Sequence, residues 1–302
     1  MRRLTLRVAR EDAGARLDQF IAAKGGVSRG LARRALDAGG VFLDGRRFKV
    51  ASRIVREGQD VVVNLEEAGR GAAAPPALDR ARLLYADEHL VAVDKPPFVA
   101  AQATLTSDRG ALPDLVLALL GAPVTIVHRL DRETSGVTVL ARTAAAAAAL
   151  SDAFRDGAVE KSYLALTARA PAPPTGRVEA PLGPDPLRPG RRAVLAAGGA
   201  AAATRYETLR AGPSGTALVA CHPETGRTHQ IRVHLAHLGA PLLGDARYGG
   251  PRRVLEVSVP RVMLHARRLA LRHPATGAPL VLEAPLPDDF AAVERALVPK
   301  AP

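Results

Sequence analysis

Apolar residues at Leu4, Leu6 and Val8 alternate with polar ones, the two-residue period of a half-buried strand. The spacing then lengthens to Leu17, Phe20 and Ile21, which predicts a helix. Ser28 stands where a helix N-cap belongs, ahead of Leu31 and Leu36 on one face, and Gly39-Gly40 stops that helix. Val41, Leu43, an Asp44-Gly45 turn and Val61-Val62-Val63 supply short strands. These elements predict a small α+β domain over residues 1–65. Residues 66–78 hold Gly-Ala-Ala-Ala-Pro-Pro-Ala, with nothing large to bury, and are expected to be a linker.

Beyond it, residues 79–302 alternate short strands with a few helices. Strands are predicted at 90–93, 137–140, 163–167, 217–220, 268–271 and 280–282, and helices at 112–120, 143–155, 228–238 and 288–297. The alanine run 144–149 follows a capping Thr143 and is helix rather than low complexity. The pattern fits an α+β fold with a mixed, mostly antiparallel sheet. The segment from Pro181 to Gly199 reads as a mobile loop; its Arg188, Arg191 and Arg192 are equally well contacts to RNA or part of a solvated insertion.

Composition narrows the partners. Forty-two Lys and Arg against 30 Asp and Glu give a net charge of +12, which favours a polyanion, nucleic acid first and an acidic membrane second. Only five of the basic residues are Lys, which discounts the arginine excess as a functional signal. With four Tyr, six Phe and no Trp, a broad base-stacking platform is excluded and an aromatic at a site must act singly. The basic start lacks a signal peptide's apolar stretch, and the apolar region 115–127 falls short of the ~20 residues of a membrane helix, so a cytoplasmic protein with no membrane contact is expected.

Phosphate-loop, dinucleotide and serine-hydrolase signatures are missing. His229, His234 and His237 lack the spacing of a zinc site, and Cys221, within an apolar strand pattern, reads as a buried structural thiol. Two stretches carry dense polar chemistry. Val127-His128-Arg129-Leu130-Asp131-Arg132-Glu133-Thr134-Ser135-Gly136-Val137 packs charged groups between apolar segments, as either an acid-capped turn or a working loop. Thr225-Gly226-Arg227-Thr228-His229-Gln230-Ile231-Arg232 opens a helix whose N-terminus attracts anions. Together they could set a carboxylate beside an arginine. On the first domain, Arg29, Arg33 and Arg34 project from one helix face, where Asp37 is the only balancing acid, and form either a solvated face or a row of phosphate contacts.

The first domain resembles the alpha-L RNA-binding domain named after a ribosomal small-subunit protein, through Arg16-Leu17-Asp18-Gln19-Phe20, Val27-Ser28-Arg29, Gly40-Val41-Phe42-Leu43-Asp44-Gly45 and Glu57-Gly58-Gln59-Asp60-Val61. The two dense stretches, with Glu160-Lys161-Ser162-Tyr163-Leu164, Leu242-Leu243-Gly244-Asp245-Ala246-Arg247-Tyr248-Gly249, Asp94-Lys95-Pro96 and Leu264-His265-Ala266, resemble the RluA-type pseudouridine synthases. The resemblance implies an isomerase that converts uridines of structured RNA to pseudouridine, with ribosomal RNA favoured over transfer RNA, acting as a monomer without metal or cofactor. It implies Asp131 as the catalytic aspartate and Tyr163 as the residue that packs on the flipped base and assists proton removal from carbon 5. Arg232 is the expected partner cation of Asp131, with Arg227 as the fallback. Arg129 is implied as a wedge in the space left by the extruded uridine, His128 as a residue that orients the loop and stands with Arg227 among the substrate contacts, and Arg29, Arg33 and Arg34 as contacts to RNA phosphates. A non-catalytic RNA-binding or ribosome-assembly factor that keeps the fold is the rival reading. One departure stands out: after Lys95-Pro96 the family often has a Gly and then a His, whereas this chain reads Pro97-Phe98-Val99-Ala100-Ala101-Gln102.

Overall fold

The computed structural model describes residues 2–65, 77–102 and 110–299. Most of the expected linker, residues 66–76, lies outside them. The chain divides into two compact units, one taking in residues up to 78 together with 100–118, the other 79–99 with 119–302.

In the first unit, β1 (Arg2–Arg7), α1 (Leu17–Gly25), α2 (Arg29–Ala38), β2 (Val41–Leu43), β3 (Arg46–Arg47) and β4 (Asp60–Leu65) build a four-stranded sheet of order β1-β4-β2-β3 under two helices. Leu17, Phe20, Ile21, Leu36, Val41, Val61 and Val63 fill its core. Ser28 Oγ accepts the Leu31 amide at 3.2 Å, and the helix ends at Gly39 with φ 82°, a left-handed cap that suits glycine.

Asp37 is not the acid that balances the arginine face. Asp18 of α1 is fully buried and accepts from Arg16 Nε at 3.2 Å, Arg29 Nε at 3.0 Å and Arg33 Nε at 2.9 Å. The first turn of α1 brings this acid against α2, a juxtaposition that spacing along α2 alone does not reveal. Burial opposes the Asp18 charge, but the three guanidinium groups outweigh it and hold the carboxyl well below its ordinary value.

The second unit is built on one large sheet. Its strands are β5 (Leu83–Ala86), β6 (Leu90–Lys95), β7 (Thr125–Ile126), β8 (Ser135–Ala141), β9 (Glu160–Thr167), β10 (Thr175–Glu179), β13 (Ala203–Ala211), β14 (Ala217–Pro223), β17 (Leu264–Arg272) and β18 (Pro279–Glu283). Two small ribbons, β11 (Leu182–Pro184) with β12 (Arg192–Val194) and β15 (Arg253–Val254) with β16 (Val257–Ser258), stand apart from it. The sheet runs β10-β13-β14-β9-β17-β8-β6-β5, with β18 on β17 and β7 on β8, and every pairing is antiparallel except β17 with β8. At that parallel pairing Gly136 has φ 114°, and a Cβ there would lie 2.2 Å from the Ala266 carbonyl oxygen.

Helices α3 (Leu112–Leu120), α4 (Ala144–Arg155), α5 (Gln230–His237) and α6 (Asp288–Leu297) complete the chain. Thr143 caps α4, which buries Ala146 and Leu150 with Leu90, Val137, Val139 and Leu269. Helix α6 packs Phe290, Val293 and Leu297 with Leu166, Leu218 and Leu243. The stretch read as a mobile loop from Pro181 is the β11–β12 ribbon, pinned where the Arg192 amide donates to the Tyr248 hydroxyl at 3.0 Å. Cys221 is fully buried in β14, and burial pushes its thiol up, as a structural cysteine requires. Among the described residues no helix is long and apolar enough to cross a membrane.

Asp18→Asn should lower the melting temperature of the first unit at neutral pH, since hydrogen bonds to a charged group each contribute about 1.5–3 kcal/mol. A carboxyl held low in the folded state contributes stability above its unfolded value of 3.8 and loses it as pH falls. The gap between wild type and variant should therefore hold down to about pH 4 and narrow progressively below it, and thermal melts from pH 7 down to the lowest pH at which the fold survives measure it.

Candidate active site

The loop between β7 and β8 carries Asp131. Its two neighbours in the fold are both built from buried charge. On one side, Lys95 at the end of β6 is fully buried, and its ammonium donates to the carbonyls of Pro96 (3.1 Å), Val99 (3.0 Å) and Arg132 (3.4 Å). Burial pushes Lys95 down to about 7, with the Arg261 charge adding to it and Asp131 and Asp94 pulling the other way. The Phe98 amide also donates to the Arg132 carbonyl at 2.7 Å, and Arg132 Nε returns a bond to the Phe98 carbonyl at 3.0 Å. On the other side, Arg261, fully buried, forks onto Asp289 at 2.6 and 2.9 Å and donates to the Glu133 carbonyl (3.1 Å) and Ser135 Oγ (3.2 Å). Glu133 in turn accepts the Val262 amide at 3.1 Å. Every residue from Arg132 to Ser135 except Thr134 is thus held by a partner distant in sequence. Thr134 closes the turn by donating its amide to the Asp131 carbonyl at 3.1 Å.

Facing this loop is α5. The sequence spacing predicts a helix start near Thr228, but α5 begins at Gln230, because the Gln230 side chain accepts from the Arg227 amide (3.0 Å) and from Thr225 Oγ1 (2.7 Å), holding the preceding residues as a loop. His229 enters at φ 61° as its N-cap. Arg232, in the first turn, donates through Nη1 to Asp131 Oδ2 at 2.8 Å and forks onto Asp245 through Nε at 2.6 Å and Nη2 at 2.8 Å. Its guanidinium also lies 5.1 Å from the Tyr248 ring centroid. Burial works against its charge, but Asp245 and Asp131 outweigh burial and hold Arg232 above the ordinary arginine value. Asp245 is buried, whereas Asp131 keeps about a quarter of its side chain open, at 27%. The cation is anchored from behind and offers its free edge to the open carboxylate.

The sequence reading missed three groups around this pair. Asp245 lies within a quoted motif without a role of its own, because nothing local marks which cation it holds. His229 Nε2 lies 3.8 Å from Asp131 Oδ2 while its Nδ1 sits 2.7 Å from the Tyr248 hydroxyl. Burial pushes His229 down to about 4, against the pull of Asp131, so the ring is neutral at pH 7. Tyr248 ties together His229, Arg232 and the β11–β12 ribbon.

Tyr163 on β9 is half-buried, and burial together with the Asp131 charge pushes its hydroxyl up, leaving a neutral phenol. Arg129 is exposed. With Arg232 on Asp131, the fallback Arg227 turns elsewhere: its Nε donates to the Ala201 carbonyl at 3.0 Å. His128 is placed to orient the loop, since its Nε2 accepts the Val139 amide at 2.9 Å and its ring stacks on Phe154 at 4.3 Å; burial pushes it down to about 3. His234 is likewise structural, between Thr204 Oγ1 and the Ala180 carbonyl.

The loop of Asp131, the helix of Arg232 and the strand of Tyr163 all lie within or beside the second unit's sheet, and its chain resembles known proteins. A family model described as RNA pseudouridylate synthase matches residues 89–237, and one described as S4 domain matches residues 15–61. An uncharacterized RNA pseudouridine synthase of Mycobacterium bovis is 38% identical over 289 residues, covering 92% of each chain. The ribosomal large subunit pseudouridine synthase D of Pseudomonas aeruginosa is 34% identical and covers 78% of each. The human protein RNA Pseudouridylate Synthase Domain Containing 4 superposes with a TM-score of 0.58 at 30% identity, covering 71% of this chain and 92% of that one. The chain belongs to the RNA pseudouridine synthase family of RluA type, enzymes that isomerise uridine in RNA, and carries an N-terminal S4 domain.

Arg232→Leu should cut turnover at least ~100-fold, because it leaves the Asp131 and Asp245 carboxylates facing each other without a cation. Arg232→Lys should recover only part, since an ammonium cannot fork onto Asp245 while reaching Asp131. Single-turnover rates for the two variants test this, and equal rates in both would contradict it.

Proposed function

We propose that Asp131 is the carboxylate that acts on the target uridine while the bond from ribose C1′ to N1 breaks and one from C1′ to C5 forms. The C5 proton leaves and N1 gains one, so no redox step or co-reactant enters. The observation that supports this reading is the 2.8 Å contact from Arg232, itself fixed by Asp245, to a carboxylate that remains open. Arg232 aims that carboxylate and sets a fixed positive charge against it. Tyr163 packs on the flipped base and, as a neutral phenol, serves proton removal from C5 as a hydrogen-bonding group rather than as an ionised base. Arg129, exposed on the loop, fills the gap the uridine leaves, offsetting a flipping cost of a few kcal/mol.

The substrate we propose is ribosomal RNA, with transfer RNA second, because relatives are named ribosomal large subunit synthases. The enzyme acts as a cytoplasmic monomer, with residues 79–302 as the catalytic domain. Arg29, Arg33 and Arg34 contact RNA phosphates: Arg29 and Arg33 use Nε on Asp18 and stay about half exposed, and Arg34 is exposed.

Asp131→Asn should abolish tritium release from RNA labelled at uridine C5 while RNA affinity holds, since shape is kept and the anion is lost. Residual activity near wild type would refute the assignment and favour a non-catalytic RNA-binding role. A pseudouridine map of total RNA from a strain lacking the gene identifies the target.

Arg34→Ala, which disturbs no ion pair of Asp18, should weaken RNA binding and shallow its log–log salt slope by about 0.7–0.9. Affinity titrations across salt concentrations measure this, and an unchanged slope would make Arg34 part of a solvated face.

A further inference from the structure

Phe98 occupies the segment where the sequence departs from its family, and three observations set it apart. It is the one aromatic side chain, among four Tyr and six Phe, that the structure leaves exposed, at 47%. Its backbone has φ 68°, the left-handed region in which glycine rests without cost and a phenylalanine is strained. Its backbone is also pinned on both sides to the residue after Asp131, through the Phe98 amide on the Arg132 carbonyl at 2.7 Å and Arg132 Nε on the Phe98 carbonyl at 3.0 Å. The buried Lys95 ammonium holds the flanking carbonyls of Pro96 and Val99.

Single exposed apolar side chains are ordinary on protein surfaces and need no explanation. This one combines a solvated ring with a strained backbone, where a glycine would avoid both, and such strain gathers at functional positions. A ring fixed beside the Asp131 loop has the properties a base requires of a stacking partner: an open face, a rigid mount and no hydrogen-bonding demand on base identity.

We propose that Phe98 stacks on an RNA base next to the target uridine and holds that strand against the Asp131 loop. The proposal rests on the reading of this loop as the catalytic centre and adds a specificity-determining contact to it. The contact is tolerant of sequence, because every base has a stacking face. Its role is to recognise an unpaired neighbour of the uridine rather than a particular letter.

The test uses the full chain, with total RNA from a strain lacking the gene, labelled at uridine C5, as the probe. Phe98→Gly should raise KM about tenfold with kcat changed less than about twofold, the scale of one lost base stack. Its melting temperature should not fall, because glycine relieves the left-handed strain. Phe98→Tyr should stay within about twofold of wild type, and Phe98→Leu, similar in bulk but without a π face, should lose as much as the glycine variant. A KM for Phe98→Gly within twofold of wild type overturns the proposal. So does full activity in Phe98→Leu, which would mean apolar bulk suffices, and so does a loss confined to kcat, which would mean Phe98 only shapes the loop. Asp131→Asn, run in parallel, reads the catalytic assignment separately: activity there removes the loop's role while the KM pattern at Phe98 still reports stacking.

Discussion

One arginine held between two carboxylates organises the second unit. Asp245 is buried and takes two of the Arg232 donors, which fixes the guanidinium plane; Asp131 is partly open and takes the third. A buried cation is tolerable only when its charge and donors are met. Asp245 therefore supplies structural compensation, and that leaves Asp131 free to face outward as the charged end of the triad. Tyr248 covers the guanidinium and extends the network to His229 and the β11–β12 ribbon.

The loop opposite is kept in place by a similar device used twice. Lys95 and Arg261 are both wholly buried basic side chains, and each donates to a backbone carbonyl of the Asp131 loop, at Arg132 and Glu133 respectively. Short polar loops between buried strands tend to be mobile. Here the carbonyls that would otherwise need water are satisfied from the interior, and the loop has little freedom to carry Asp131 away from Arg232.

Much of this was legible in the sequence, and the limits follow from physics. The periods of Leu4, Leu6 and Val8 and of α4 and α6 report burial on one element's own face, so they are readable locally. Asp131 and Arg232 were legible as a pair because resemblance marked both stretches. Asp18 was not, because the acid that gathers Arg29 and Arg33 sits on a different helix and only tertiary packing brings it to them. For His128 the loop-orienting role was legible but its partners were not, because Phe154 and the β8 backbone meet its ring only in the folded chain. The β11–β12 ribbon was hidden by its Gly, Pro and Arg content, which carries no strand period; its order comes from pairing and from Tyr248.

The parallel contact between β8 and β17 sets how closely the two sides of the site approach each other. Asp131 precedes β8, while Tyr163 lies on β9 beyond β17, so the two belong to opposite halves of the sheet joined along that contact. Gly136 lets the strands approach to the point where not even a methyl group fits. Any side chain at position 136 would have to push the two halves apart. The distance across the sheet from the strand after Asp131 to the strand of Tyr163 therefore hangs on one position that carries no side chain at all.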